Sequence, residues 1–115
     1  TIPADVISVY DGDTIKVMAR PWPGMSLETS VRVRGIDTPE IKGKCESEKA
    51  KAVDAREQAK QFVGKHVLLT NIELGKYAGR VVANILVGNR DLGEFLITSG
   101  LARPYDGGKR KSWCE

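Results

Sequence analysis

Asp13, Asp37 and Glu40 are carboxylates held in two short stretches, Asp11-Gly12-Asp13-Thr14 and Asp37-Thr38-Pro39-Glu40. Arg32 precedes the second stretch by five residues, and Lys76-Tyr77-Ala78-Gly79-Arg80 forms a third group. Oxygen donors of this kind suit a hard divalent cation, and calcium accepts carboxylates, carbonyls and water together. Arginine forks match phosphate oxygens, and two of them beside a metal can stabilise a five-coordinate phosphoryl group. Lys76 is able to meet a phosphate, and Tyr77 to stack on or hydrogen-bond a nucleotide.

Each stretch also has a purely structural reading. Asp11-Gly12 is a dipeptide favoured in tight hairpins, because both residues tolerate positive φ. Asp37-Thr38-Pro39-Glu40 is able to start a helix, with Thr38 as cap and Pro39 in the first helical position. Gly43 follows too soon for that, so residues 37–46 read better as a loop. Arg32 and Arg34 could be surface ion-pair partners, and the segment before Arg80 a glycine turn. His66 is the only histidine. Histidine-based ribonuclease pairs and HExxH metal sites, which need two histidines, are thereby excluded; His66 reads as a residue at the start of a strand, which leaves no base for a Ser-His triad, and no P-loop or GxGxxG is present.

The elements that must position these groups follow from periodicity. Val6–Tyr10 and Thr14–Arg20 read as strands around the Asp11-Gly12 turn. Pro21-Trp22-Pro23-Gly24 must be a loop. Val31–Ile36 alternates apolar residues with Arg32 and Arg34, which sends both arginines to one face. Ser47–Val63 is a helix with an apolar stripe of Ala52, Ala55, Ala59, Phe62 and Val63, stopped by Gly64. Val67–Ile72 and Arg80–Val87 are further strands, followed by a turn at Gly88-Asn89. Asp91–Ser99 is a short helix with Asp91 as N-cap, Glu94 three residues on, and Gly100 at its end. Five strands with a helix between the third and fourth and a short C-terminal helix predict an α+β, mainly β, OB-fold barrel.

The 115 residues are one domain's worth of chain, so residues 1–115 are expected to form a single domain. Hydrophobic residues make up 41% and charged residues 29%, a composition that supports a globular core and not disorder. No apolar run approaches the roughly 18 residues of a membrane span. Eighteen basic against fifteen acidic residues leave a net charge of +3, compatible with a polyanionic partner. Arg103, Lys109, Arg110 and Lys111 cluster near the end, as a solvated tail or a polyanion contact. Cys45 and Cys114 are the two cysteines; they either bridge or remain buried thiols, and their spacing does not form a zinc set. A bridge would imply an oxidising compartment. The first residue is Thr1, as in a trimmed chain or a mature chain that has lost a signal peptide.

Taken together, Asp11-Gly12-Asp13-Thr14, Arg32 with Asp37-Thr38-Pro39-Glu40, and Tyr77 to Arg80 resemble the signature of the staphylococcal nuclease family. Ser99-Gly100-Leu101-Ala102 resembles the end of that family's second helix, and the similarity runs from about Val6 to Tyr105. The resemblance implies a calcium ion bound by Asp13, Asp37 and the backbone carbonyl of Thr38, with Asp11 as a neighbouring acid. It implies Arg32 and Arg80 on the scissile phosphate, Glu40 as base for the attacking water, and Lys76, Tyr77 and Tyr105 as nucleotide contacts. The activity implied is calcium-dependent, sugar-nonspecific hydrolysis of DNA and RNA, preferably single-stranded or frayed, leaving 3′-phosphate ends. Ala78 departs from the family's usual Tyr-Gly-Arg, which bears on the placement of Arg80. An exported monomer, secreted or periplasmic and without a protein partner, is the expectation. The rival reading is an OB-fold module that binds nucleic acid without cleaving it. Such relatives usually lose carboxylates or arginines, whereas Asp13, Asp37, Glu40, Arg32 and Arg80 are all present.

Overall fold

The computed structural model describes residues 1–74, 80–105 and 113–114. Strands β1 (Ile2–Asp11), β2 (Thr14–Ala19), β3 (Leu27–Val33) and β4 (Ile36–Asp37) precede helix α1 (Glu46–Val63). Strands β5 (His66–Leu74), β6 (Arg80–Val87) and β7 (Arg90–Asp91), helix α2 (Leu92–Thr98) and strand β8 (Arg103–Pro104) follow. Antiparallel neighbours run β3-β2-β1-β5-β6, and β3 pairs in parallel with β6 from Ser30↔Arg80 to Val33↔Ala83. That last pairing closes five strands into a barrel, the OB-fold arrangement expected from the sequence.

Period-two alternation explains why these segments curl inward. Ile15 and Val17 of β2, Val31 and Val33 of β3, Leu69 of β5 and Ile85 of β6 are all fully buried. Full burial of such a side chain stabilises the fold by about 1.5–3 kcal/mol. Helix α1 lays Ala52, Ala55, Ala59 and Val63 against the barrel, and the small alanines permit a close approach. Gly64 ends it with φ of 59°, its N–H bonding the Lys60 carbonyl at 3.2 Å. Phe62 stacks on Phe95 with centroids 4.6 Å apart, which ties α1 to α2. Asp91 caps α2 as predicted, accepting the Glu94 N–H at 3.3 Å.

Several sequence expectations are corrected. The third strand does not run from Val31 to Ile36. It begins at Leu27 and ends at Val33, because Gly35, with φ of 81°, turns the chain before the short β4. Arg34 thus lies in a turn and does not share a strand face with Arg32. It reaches the Asn71 carbonyl at 2.7 Å and Glu73 at 3.1 Å, the structural role of an ion-paired surface arginine. The β1–β2 turn is Gly12-Asp13, since Asp11 pairs with Thr14, and neither Asp11 nor Gly12 has positive φ. Strand β1 also carries two bulges, at Ile7 and Tyr10, where its register against β2 shifts by one residue.

Candidate active site

The β1–β2 turn is locked at both ends. The Asp13 N–H donates to Asp11 Oδ1 at 3.2 Å, the Thr14 hydroxyl donates to Asp13 Oδ1 at 3.1 Å, and the Asp13 carbonyl accepts the Val33 N–H at 2.8 Å. Gly12 saves space and does not supply a positive φ. A Cβ there would lie 3.0 Å from Thr38 Cγ2 and 3.1 Å from Ala55 Cβ. The absence of a side chain therefore lets the Asp11–Asp13 turn seat against both α1 and the segment holding Asp37 and Thr38. Burial, together with the hydrogen bond and like charge of Asp13, pushes the Asp11 carboxyl up to about 7.

Arg32 stands opposite Thr14 in the β2–β3 ladder. Its guanidinium pairs with Asp13 Oδ2 at 3.2 Å and donates to the Ile36 carbonyl at 3.4 Å. One arginine thus bridges the turn carrying Asp13 and the strand carrying Asp37. Strand β4 is held from its other side by β8, with Asp37 opposite Arg103. Asp37 is buried, and its Oδ2 accepts the indole N–H of Trp113 at 3.2 Å. Trp113 packs under the Arg103 guanidinium, 3.8 Å from ring centroid to Cζ. Sequence reasoning did not place Trp113 at the site. Its one signal was adjacency to Cys114.

Glu40 leaves the barrel in the loop before α1, with an exposed side chain. Its backbone N–H is held at 3.1 Å by Glu48, a buried acid that also accepts the Lys44 N–H at 3.1 Å. Glu48 was missed in the sequence, although an acid three residues after a helix cap is a recognisable signal. The cap itself is Cys45, whose sulfur accepts the Glu48 N–H at 3.4 Å and is bonded to Cys114 in a disulfide. The bridge therefore links the loop after Glu40 to the chain segment carrying Trp113.

These elements converge. Asp13, Arg32, Glu40 and Arg80 line one cleft of about 350 Å³, with Tyr10, Asp11 and Lys42 on its walls. Arg80 reaches it as the first residue of β6, despite Ala78 upstream, and its side chain forms no hydrogen bond or ion pair with any described residue. Asp37 and Thr38 do not line the cleft but are buried, with Thr38 against Gly12. Tyr105 donates its backbone N–H to the Gly35 carbonyl at 2.9 Å and does not line the cleft. Lys76 and Tyr77 lie outside the described residues. A larger, more open hollow of about 530 Å³ surrounds Asp5, Arg20 and His66. There the acid is already paired with both bases, and no array of carboxylates and cations like that of the smaller cleft is assembled.

The donor set fits a hard cation. Asp13 and Asp37 are buried carboxylates, and Thr38 Oγ1 is a buried oxygen with no hydrogen-bond partner among the described residues. Asp13 already has a counter-charge in Arg32, and all donors here are oxygens, the ligand type that hard cations take. Asp11, Asp13 and Asp37 do not form a cage of three acids with oxygens all within 4.8 Å of one another. Calcium takes 6–8 oxygens, so an ion held by these residues would also draw on carbonyl, water and substrate oxygens. The one three-residue cluster that compact among the described residues is Cys45, Glu48 and Cys114, whose sulfurs are bonded to each other and so are not thiolate ligands.

Sequence comparison with curated proteins finds no match. A family model described as staphylococcal nuclease homologue matches residues 30–112, from β3 past β8. The Asp11–Asp13 turn precedes the matched segment and is tied to it by the Arg32 and Val33 contacts. With more than half of the chain matched and a closed OB-type barrel around the cleft, the protein belongs to the staphylococcal nuclease homologue family.

Proposed function

We propose that the protein is a calcium-dependent, sugar-nonspecific nuclease that hydrolyses phosphodiester bonds of DNA and RNA and leaves 3′-phosphate ends. The observation that carries this reading is the meeting of Asp13, Arg32, Glu40 and Arg80 on one cleft. Asp13, Asp37 and the Thr38 carbonyl would hold the cation. When bound, calcium supplies a fixed positive charge that polarises a phosphoryl oxygen and orients water. Arg80, whose guanidinium is unengaged by described residues, takes one nonbridging oxygen of the phosphate. Arg32 takes another, and both neutralise charge that grows in the transition state. Glu40, exposed at the cleft and anchored through its own backbone N–H, accepts the proton of the attacking water. Backbone contacts of this kind carry little base information, so low sequence discrimination follows. The Cys45–Cys114 bridge supports residence in an oxidising compartment, secreted or periplasmic.

The test is incubation with single-stranded DNA and RNA, first in calcium and then in excess chelator. Cleavage in calcium alone, with 3′-phosphate ends, is the expected result. Binding without cleavage in both conditions replaces this reading with a non-catalytic binding module. Glu40→Gln and Arg32→Ala are each expected to lower turnover by at least about a hundredfold. Near-normal turnover in either variant removes that residue from its role.

A further inference from the structure

Tyr10 is the extra residue of a β-bulge. Val9 pairs with Ile15 and Asp11 with Thr14, so Tyr10 has no partner on β2. Bulges bend a strand and re-aim a side chain, and they gather at barrel rims beside functional sites. The flanking Val9 and Asp11 are buried, whereas Tyr10 is 51% exposed. Ile7, the residue of the other bulge, is similarly exposed at 47% but lies off the cleft. Tyr10 lines the same cleft as Arg32, Glu40 and Arg80, and it is the only aromatic among the described lining residues. Nearly every other wall group is charged or polar. Lys42, exposed on the same wall, forms no ion pair with a described residue and extends the positive charge beyond the two arginines.

An aromatic face held open beside paired cations suits one ligand class. Every nucleobase has a π-face, and stacking on it is sequence-tolerant. We propose that Tyr10 is the stacking platform for the base of a nucleotide adjoining the phosphate that the arginines hold. This inference rests on the nucleic-acid reading above and deepens it. The bulge makes the platform, because an unbulged Tyr10 would sit in the β1–β2 ladder opposite a partner. A base must leave its duplex stack to use it, so the subsite favours single strands.

The experiment is binding, not turnover. A fluorescent phosphorothioate oligothymidylate keeps the charge and resists hydrolysis; its abasic counterpart keeps the backbone and loses the bases. Anisotropy in calcium gives Kd for the wild type, Tyr10→Ala and Tyr10→Phe, and a thermal melt checks each fold. Tyr10→Ala is expected to bind the oligothymidylate at least about fivefold more weakly, while Tyr10→Phe stays within about twofold of the wild type. On the abasic strand, wild type and Tyr10→Ala are expected to agree within about twofold. Three results overturn the inference: no loss in Tyr10→Ala, an equal loss in Tyr10→Phe, which would indicate a hydroxyl contact, or an equal loss on the abasic strand. Wild-type protein that binds neither strand overturns the nucleic-acid reading and this subsite with it. Wild-type binding that is indifferent to Tyr10 overturns the subsite alone.

Discussion

The carboxylate of Glu48, in the first turn of α1, accepts the backbone N–H of Glu40 at 3.1 Å across eight residues of chain. An acid at the third helical position ordinarily bonds the N–H of the cap residue. Here it reaches past Cys45 and binds Glu40 and Lys44 instead, so the helix start organises the loop that carries the proposed base. Glu48→Gln keeps the shape but sets an amide N–H₂ against one of those N–H donors. The expected loss is about 1–3 kcal/mol of stability, as for a buried donor left unsatisfied. Turnover is expected to fall with KM little changed, because the loop places Glu40 and not the bulk of the substrate. Thermal melts and steady-state kinetics check both, and a wild-type kcat would separate Glu48 from the chemistry.

Gly43 makes room for that acid. A Cβ on Gly43 would stand 2.6 Å from Glu48 Cγ and 2.7 Å from its Cδ. Gly43→Ala is therefore expected to destabilise the protein by about 1–3 kcal/mol through overpacking. In a Glu48→Ala background most of this loss is expected to vanish. A denaturation double-mutant cycle reads the coupling directly, and additive losses would show that the two residues do not share the space.

The Cys45–Cys114 disulfide closes a sequence separation of 69 residues. Loop-closure entropy assigns such a cross-link about 4 kcal/mol. Reduction is expected to lower the melting temperature by well over ten degrees. It is also expected to weaken calcium binding, since one half-cystine caps the helix carrying Glu48 and the other adjoins Trp113 on Asp37. Melts and calcium titrations with and without reductant test this. Two reactive thiols in unreduced, denatured protein would refute the bridge.

Calcium is expected to raise the melting temperature of the wild type. At free calcium a hundred times its Kd the stabilisation is about 2.7 kcal/mol. Asp13→Asn and Asp37→Asn are each expected to abolish most of that rise. A calcium response surviving in both variants would move the cation away from these acids.

Acid stability follows from Asp5. Hydrogen bonds from Arg20 and then His66 hold its carboxyl at about 2, below the ordinary 3.8. The folded value lies below the unfolded one, so this contribution is present above about pH 4 and is lost as pH falls through about 2. Asp5→Asn is expected to melt below the wild type at neutral pH, and the gap should close between pH 4 and 2. A gap independent of pH would mean that packing and not charge is responsible.

Much of the fold was legible because its determinants are local. Arg80–Val87 is a short apolar run bounded by turn residues and is a strand over those residues; the alanine stripe from Ala52 to Ala59 is the buried face of α1; Asp91 caps α2. Leu27–Ser30 escaped notice for a physical reason. Leu27 and Glu28 are exposed and Thr29 and Ser30 half-buried, so no apolar alternation marks them, and pairing with Ala19, Met18, Val17 and Lys16 makes them a strand. Arg32 and Arg34 look alike two residues apart, and only the turn at Gly35 sends one to Asp13 and the other to Glu73.

Residue type and spacing determined the chemistry available to this chain: carboxylates for a hard cation, guanidinium groups for phosphate, and an alternation that closes into a barrel. Those properties are written in short windows and need no distant partner. Tertiary structure alone decided that Glu48 holds Glu40, that Trp113 holds Asp37, that Gly12 lies against Thr38 and Ala55, and that Tyr10, at a bulge, lines the cleft. Each joins segments remote in sequence or depends on the register of a neighbouring strand. Such contacts exist only after chain closure has brought those segments within hydrogen-bond or van der Waals reach.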